Sequence, residues 1–244
     1  KATWEKVQKW SSQNKWIAHI ELSKLPILAA NPNVLFVSPY FEDQSLEDPA
    51  IAIANGSNAL LSSNGLGLSG EGVVLGVGDD SYPNHVDYND RLNNLNPIIQ
   101  TQHGVFTTGI MAGAGIINEK IRGMAPKAQI VSNFFSNIIA YARDYEDDFN
   151  MKVTNNSYAA IVGNCNYAGT YDVVSQFVDE LALDRPELLN VFAAGNDGYL
   201  TCTPYPQRYG TVVGSYQASK NALLVGLIGK NSDLVNNNGS KGPV

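Results

Sequence analysis

The stretch Val73-Val74-Leu75-Gly76-Val77-Gly78-Asp79-Asp80 is a short apolar run that ends in two carboxylates. A run this short, rich in valine and unbroken by polar residues, has the composition of a strand buried on both faces. Runs of the same kind recur downstream at Gln129–Phe135 (QIVSNFF), Val153–Tyr158, Leu188–Ala194 (LLNVFAA) and Ala222–Ile228 (ALLVGLI). Helical patterning is expected between them over Val105–Ala114, Ile138–Asp147 and Tyr171–Leu183, and ahead of them over Ile51–Leu61. Alternation of buried strands with helices predicts an α/β fold: a doubly wound, mostly parallel sheet with helices on both faces. In such folds the chemistry gathers where strands end at the carboxyl edge of the sheet.

Upstream of this region the pattern differs. Trp4, Val7 and Trp10 stand at helical spacing, Lys15–Leu22 (KWIAHIEL) reads as a strand, Leu25–Ala30 as helix and Asn33–Tyr40 as a second strand. Residues 1–45 are therefore expected to form a small α+β unit. The acidic, proline-containing Phe41–Pro49 reads as a linker into a main domain over 46–244.

Composition narrows the function classes. With 244 residues, 44% hydrophobic and only 16% charged, the chain can bury one sizeable core and is neither a disordered nor a coiled-coil sequence. No apolar run is long enough to span a membrane. Its 16 basic residues are scattered among 23 acidic ones, for a net charge of −7, which argues against nucleic acid as a partner. The two cysteines, Cys165 and Cys202, read as buried thiols in a reducing compartment and as a bridge in an oxidising one; their number does not decide.

Three segments carry polar groups at strand ends or helix starts. Asp79 and Asp80 leave the first strand, where they suit a metal, a catalytic relay or a simple turn cap. His103 opens the segment HGVFTTGIMAGAG, where by itself it suits a functional role and a simple helix cap equally; Gly109 and Gly113 call for close packing, since each glycine costs a helix about 1 kcal/mol. Asn196 follows Phe192-Ala193-Ala194-Gly195; an uncharged amide with two donors suits an oxyanion hole, and also an ordinary turn. Gly65-Leu66-Gly67-Leu68-Ser69-Gly70 has the spacing of a dinucleotide-binding loop, but it precedes its strand instead of following one into a helix, so a turn is the better reading. His85 and His19 read as structural. The acidic stretch Asp144 with Glu146–Asp148 reads as a solvated helix face.

Taken in order, these segments resemble the subtilases, the subtilisin-like serine peptidases. The family pattern V-x-D-S/T-G is similar to Val77-Gly78-Asp79-Asp80-Ser81, and the family's H-G helix to His103-Gly104 with Gly109 and Ala112-Gly113. G-V/M-A-P is matched by Gly123-Met124-Ala125-Pro126, N-x-S-x-G by Asn155-Asn156-Ser157-Tyr158-Ala159, A-A-G-N by Ala193-Ala194-Gly195-Asn196, and S-x-G-P by Ser240-Lys241-Gly242-Pro243. The resemblance spans residues 60–244. It departs from the family at Ser81 and Ala159, where glycine is usual, and over Val105–Thr108. The family's nucleophile motif, G-T-S-M-A/S, does not occur in the chain.

The resemblance implies an Asp/His/Ser endopeptidase in which His103 is the base, Asp79 orients it, and Asn196 donates to the oxyanion. The nucleophilic serine would lie beyond this chain, which alone would be inactive. Ser157, Tyr158 and Ala159 would offer backbone to an extended polypeptide substrate, with Tyr158 bordering the pocket for the residue before the scissile bond. Residues 1–45 would be a propeptide-like or accessory unit, since Val34–Pro39 (VLFVSP) is similar to the last strand of subtilase propeptides. A secreted or cell-surface location follows from the family, and with it a disulfide between Cys165 and Cys202, which lie at equal offsets beyond Ala159 and Asn196. The resemblance requires no cofactor for the chemistry and allows a structural calcium ion. Beyond substrate, it points to the C-terminal remainder of the peptidase or other cell-surface proteins as partners. The alternative is a catalytically inactive subtilase-fold binding or scaffold protein.

Overall fold

The computed structural model describes residues 7–9, 14–40, 44–45, 66–80, 82–95, 102–229 and 235–243. The main domain is built on a six-stranded sheet. Its strands are β4 (Val74–Asp79), β5 (Leu92–Asn94), β6 (Gln129–Phe134), β7 (Met151–Asn156), β9 (Leu189–Ala193) and β10 (Leu223–Val225), in the spatial order β10-β9-β7-β4-β6-β5. Every pairing in it is parallel, so all strands end at one edge.

Two cores cover the two faces of this sheet. Side chains alternate along a strand, and β4 shows the consequence. Val77 joins Ile130, Tyr88 and Ala112 on one face, under α2 (His103–Ala112). On the other face Val131, Met151 and Phe192 pack with α3 (Asn137–Ala140), α4 (Ala142–Phe149) and α5 (Val173–Asp184). Gly76 and Gly78 point toward this second face. A Cβ at Gly78 would sit 2.5 Å from Ile138 Cγ2, so glycine is what lets α3 lie directly on the central strand. Helix α5 starts with a capping box: Asp172 accepts the N–H groups of Val174 and Ser175, and the Ser175 hydroxyl accepts the N–H of Asp172. Such a cap contributes about 1 kcal/mol.

The expected strands and helices of the main domain form within a few residues of their sequence bounds. The stretch 138–147 splits into α3 and α4 at Tyr141, and β5, short and polar (LNN), was not anticipated. The helix expected over 51–61 lies outside the described residues.

The N-terminal unit differs more. Val7–Lys9, expected in a helix, is strand β1, paired antiparallel with β2 (Trp16–Ala18); Trp4 and Trp10 lie outside the described residues. Three apolar residues at helical spacing are too short a signal to outweigh a strand partner seven residues on. Helix α1 (Leu25–Ala29) forms as expected, whereas residues 33–40 run as irregular chain, without strand pairing among the described residues. The unit docks on α5: Ile17 packs against the larger core, and Lys15 Nζ reaches Glu180 at 2.7 Å while lying over the Phe177 ring. Within the expected linker, Gln44–Ser45 forms β3, antiparallel to β8 (Tyr158–Ala159).

Candidate active site

The strand alternation that buries Val77 under α2 also turns Asp79 toward that helix. Asp79 is 2% exposed, and its Oδ1 lies 2.7 Å from Nδ1 of His103, the first residue of α2. The same oxygen accepts the N–H of Asp80 at 2.8 Å, and the Thr107 hydroxyl donates to Oδ2 at 2.8 Å. Burial raises the Asp79 pKa above its ordinary value, and the hydrogen bond and charge of His103, with the hydrogen bonds from the Asp80 backbone and the Thr107 side chain, pull it back only in part. A carboxylate held on Nδ1 fixes the imidazole tautomer and leaves Nε2 as the acceptor. Helical spacing gives Thr107 its role: four residues after His103, it lies on the same face one turn along.

Asp80 takes a different post. It is buried, and its Oδ1 accepts the N–H of Gly104 at 3.4 Å, at the start of α2 where backbone donors lack helical partners. Neighbouring carboxylates thus serve neighbouring needs: Asp79 meets the ring of His103, and Asp80 meets the turn that carries it.

The other predicted residues stand at the same carboxyl edge. Asn196 lies just beyond β9, half-buried, after Gly195 at φ +120°. A Cβ at Gly195 would meet Val213 Cγ2 at 2.4 Å and Ser240 Oγ at 2.7 Å, which accounts for the glycine of the A-A-G-N motif. Ser157 is half-buried between β7 and β8, and the Ala159 side chain is buried beside Val213. Tyr158 is placed otherwise than its expected role at a pocket border. It is fully buried, its ring within 5.3 to 6.2 Å of those of Phe135, Phe192 and Tyr216, and its hydroxyl donates to Asn156 Oδ1 at 3.0 Å. Only its backbone reaches the edge, where β3 pairs with it.

Cys165 and Cys202 are joined in a disulfide with Cα atoms 5.2 Å apart. His85 packs on Tyr88 and accepts the N–H of Asp87 on Nδ1, a structural placement. The acidic stretch is engaged by cations: Arg185 grips Asp147 at 2.7 and 2.9 Å, and Glu146 meets both Lys152 and Arg185. Among the described residues, the one group of three acidic or histidine side chains close enough for a shared cation is Asp79, Asp80 and His103 itself.

Among solved structures, the chain is similar to the CspB protease of Clostridium perfringens at 17% identity, covering 60% of this chain and 40% of that one with a TM-score of 0.44. It is similar to the MycP3 protease from the type VII (ESX-3) secretion system at 18% identity, covering 65% and 51%, with a TM-score of 0.44. The self-cleaved protease domain of PatA matches at 18% identity over 71% of this chain and 64% of that one, with a TM-score of 0.46. The chain thus spans from 40% to 64% of the length of these structures. No curated protein matches it. The model of the subtilase family (Peptidase_S8) matches residues 70–243, which include Asp79, His103, Asn196 and all six strands of the sheet. This chain belongs to the subtilase family.

Proposed function

We propose that these residues form the base and oxyanion side of a secreted serine endopeptidase whose nucleophilic serine is supplied from outside Lys1–Val244. The observation that carries the reading is the 2.7 Å contact between Asp79 Oδ1 and His103 Nδ1 at the carboxyl edge of a parallel sheet. A serine hydroxyl is a weak nucleophile at neutral pH and needs a base within reach. In this reading His103 Nε2 takes the serine proton and returns it to the leaving amine. Asp79 offsets the imidazolium charge, and the Asn196 amide donates to the oxyanion. The side of α2 carrying His103 also exposes Phe106 and Ile110, at 62% and 38%, while Gly104, Thr108 and Ala112 face the sheet. The element bearing the nucleophile is assigned to that apolar face.

Polypeptide substrate would add to the edge at Tyr158–Ala159 as an extended strand. Gln44–Ser45 already pairs there, which supports residues 1–45 as a propeptide-like unit that occupies the substrate edge. The disulfide supports an oxidising, extracellular setting. Among the described residues no helix is long and apolar enough to cross a membrane. Any calcium would be structural, and elemental analysis of the purified protein checks for it.

The test is a fluorophosphonate probe with a peptide-hydrolysis assay. Residues 1–244 alone should neither label nor hydrolyse. The complete protein should do both, and His103→Ala should lower turnover by several orders of magnitude. Hydrolysis by residues 1–244 that the probe blocks would show that the nucleophile lies within them. A complete protein that binds peptide but neither labels nor hydrolyses would establish the inactive binding protein instead.

A further inference from the structure

Asn196 is held from both sides by one residue. The carbonyl of Gly195 accepts the N–H of Ser240 at 2.9 Å, and the N–H of Asp197 donates to Ser240 Oγ at 2.9 Å. The peptides flanking the amide are therefore fixed to the buried Ser240 of the S-x-G-P loop. A third tie runs elsewhere. The Asp197 carboxylate accepts the N–H of Gly163 through Oδ2 at 2.7 Å. Gly163 follows Ala159, the end of the edge strand on which β3 is paired, by four residues.

Asp197 is 6% exposed, and burial raises its pKa. A buried carboxylate is costly unless donors compensate it, yet nothing in the proposed chemistry uses this one. Gly163, its main backbone partner, is exposed. If the carboxylate were removed, the Gly163 N–H would turn to water at little cost. The tie therefore adds little to stability and much to placement.

We propose that Asp197 is a positioning residue that locks the loop after the substrate edge to the oxyanion donor, so that a peptide laid along Tyr158–Ala159 presents its carbonyl in register with the Asn196 amide. The inference rests on Asn196 being the oxyanion donor. Orientation is where such a tie acts: a misplacement of about 1 Å at a reacting centre can cost about 100-fold in rate. The remaining ties, Ser240 and the disulfide, hold the fold of the loop when the carboxylate is gone.

The experiment uses the complete peptidase. Asp197→Ala should lower kcat by about 10-fold or more with KM changed less than about 3-fold, the pattern of an interaction lost in the transition state. Asp197→Asn keeps an acceptor oxygen for Gly163 and should restore most of the rate. In an Asn196→Ala background, Asp197→Ala should cost less than about 2-fold, because residues that act through one another are not additive. An equal loss in both backgrounds, or an unchanged kcat in the single variant, overturns the proposal. Failure of the oxyanion reading is seen separately, as an unaffected rate in Asn196→Ala alone. A readout independent of hydrolysis is the mobility of the Asn196 side-chain amide by ¹⁵N relaxation. It should rise in Asp197→Ala and not in Asp197→Asn; unchanged mobility in both also overturns the proposal.

Discussion

Breaking the Cys165–Cys202 bridge should cost the protein much of its stability. The bridge spans a sequence separation of 37 and encloses α5 and β9, both packed into the larger core. Closing a loop of that length removes conformational freedom from the unfolded chain worth about 4 kcal/mol at 25 °C. In a chain of this size each kcal/mol moves the melting temperature by about 2–4 °C, so the bridge corresponds to about 8–16 °C. The variant should be Cys165→Ser with Cys202→Ala, because Cys202 is 3% exposed and a serine there would add the cost of an unpaired buried hydroxyl. Calorimetry and urea unfolding of wild type and variant give the difference, and the variant should also show a larger denaturant slope, since its unfolded chain exposes more surface. Wild type treated with a reductant should approach the variant. A loss below about 1 kcal/mol would refute the loop-entropy reasoning. Two reactive thiols per denatured, unreduced chain would refute the bridge itself and the oxidising compartment argued from it.

Other expectations are more local. Asp79→Asn should lower turnover of the complete enzyme by about 10⁴-fold, because an amide does not hold the imidazole in the working tautomer. The same variant should be more stable than wild type at neutral pH. Burial raises the Asp79 pKa, so the folded protein binds that proton more tightly than the unfolded chain; its stability contribution is full below the ordinary carboxylate range and is lost as pH rises through the raised pKa. The advantage of the variant should therefore vanish on acidification, and melting curves across pH 3 to 8 check the sign. Gly195→Ala should destabilise by about 1–3 kcal/mol from backbone strain alone, with a further penalty from the 2.4 Å approach to Val213 and a loss of kcat as Asn196 is displaced. Tyr158→Phe should cost about 1–3 kcal/mol in urea unfolding, since it leaves the buried Asn156 carbonyl without the hydroxyl that donates to it at 3.0 Å.

The sequence by itself determined the strand cores, their alternation with helices, the glycines that admit close packing, and the placement of Asp79, His103 and Asn196 at strand ends or a helix start. These are local properties: a valine-rich run or a glycine before an amide is dictated by what its own few residues can bury or adopt. The family resemblance named Asp79 as the partner of His103, and the tertiary structure supplies the physical reason: the pleat of β4 turns Asp79 to α2 while Asp80 anchors the helix start. The tertiary structure alone put the Tyr158 ring into the core, paired Val7–Lys9 with Trp16–Ala18 instead of coiling it, and added the polar β5 at the edge of the sheet. It also brought Asp197 to Gly163 across 34 residues and Ser240 to both sides of Asn196. Such contacts join residues distant in the chain. Their energies depend on which surfaces the folded layers bring together, and no local pattern encodes that choice.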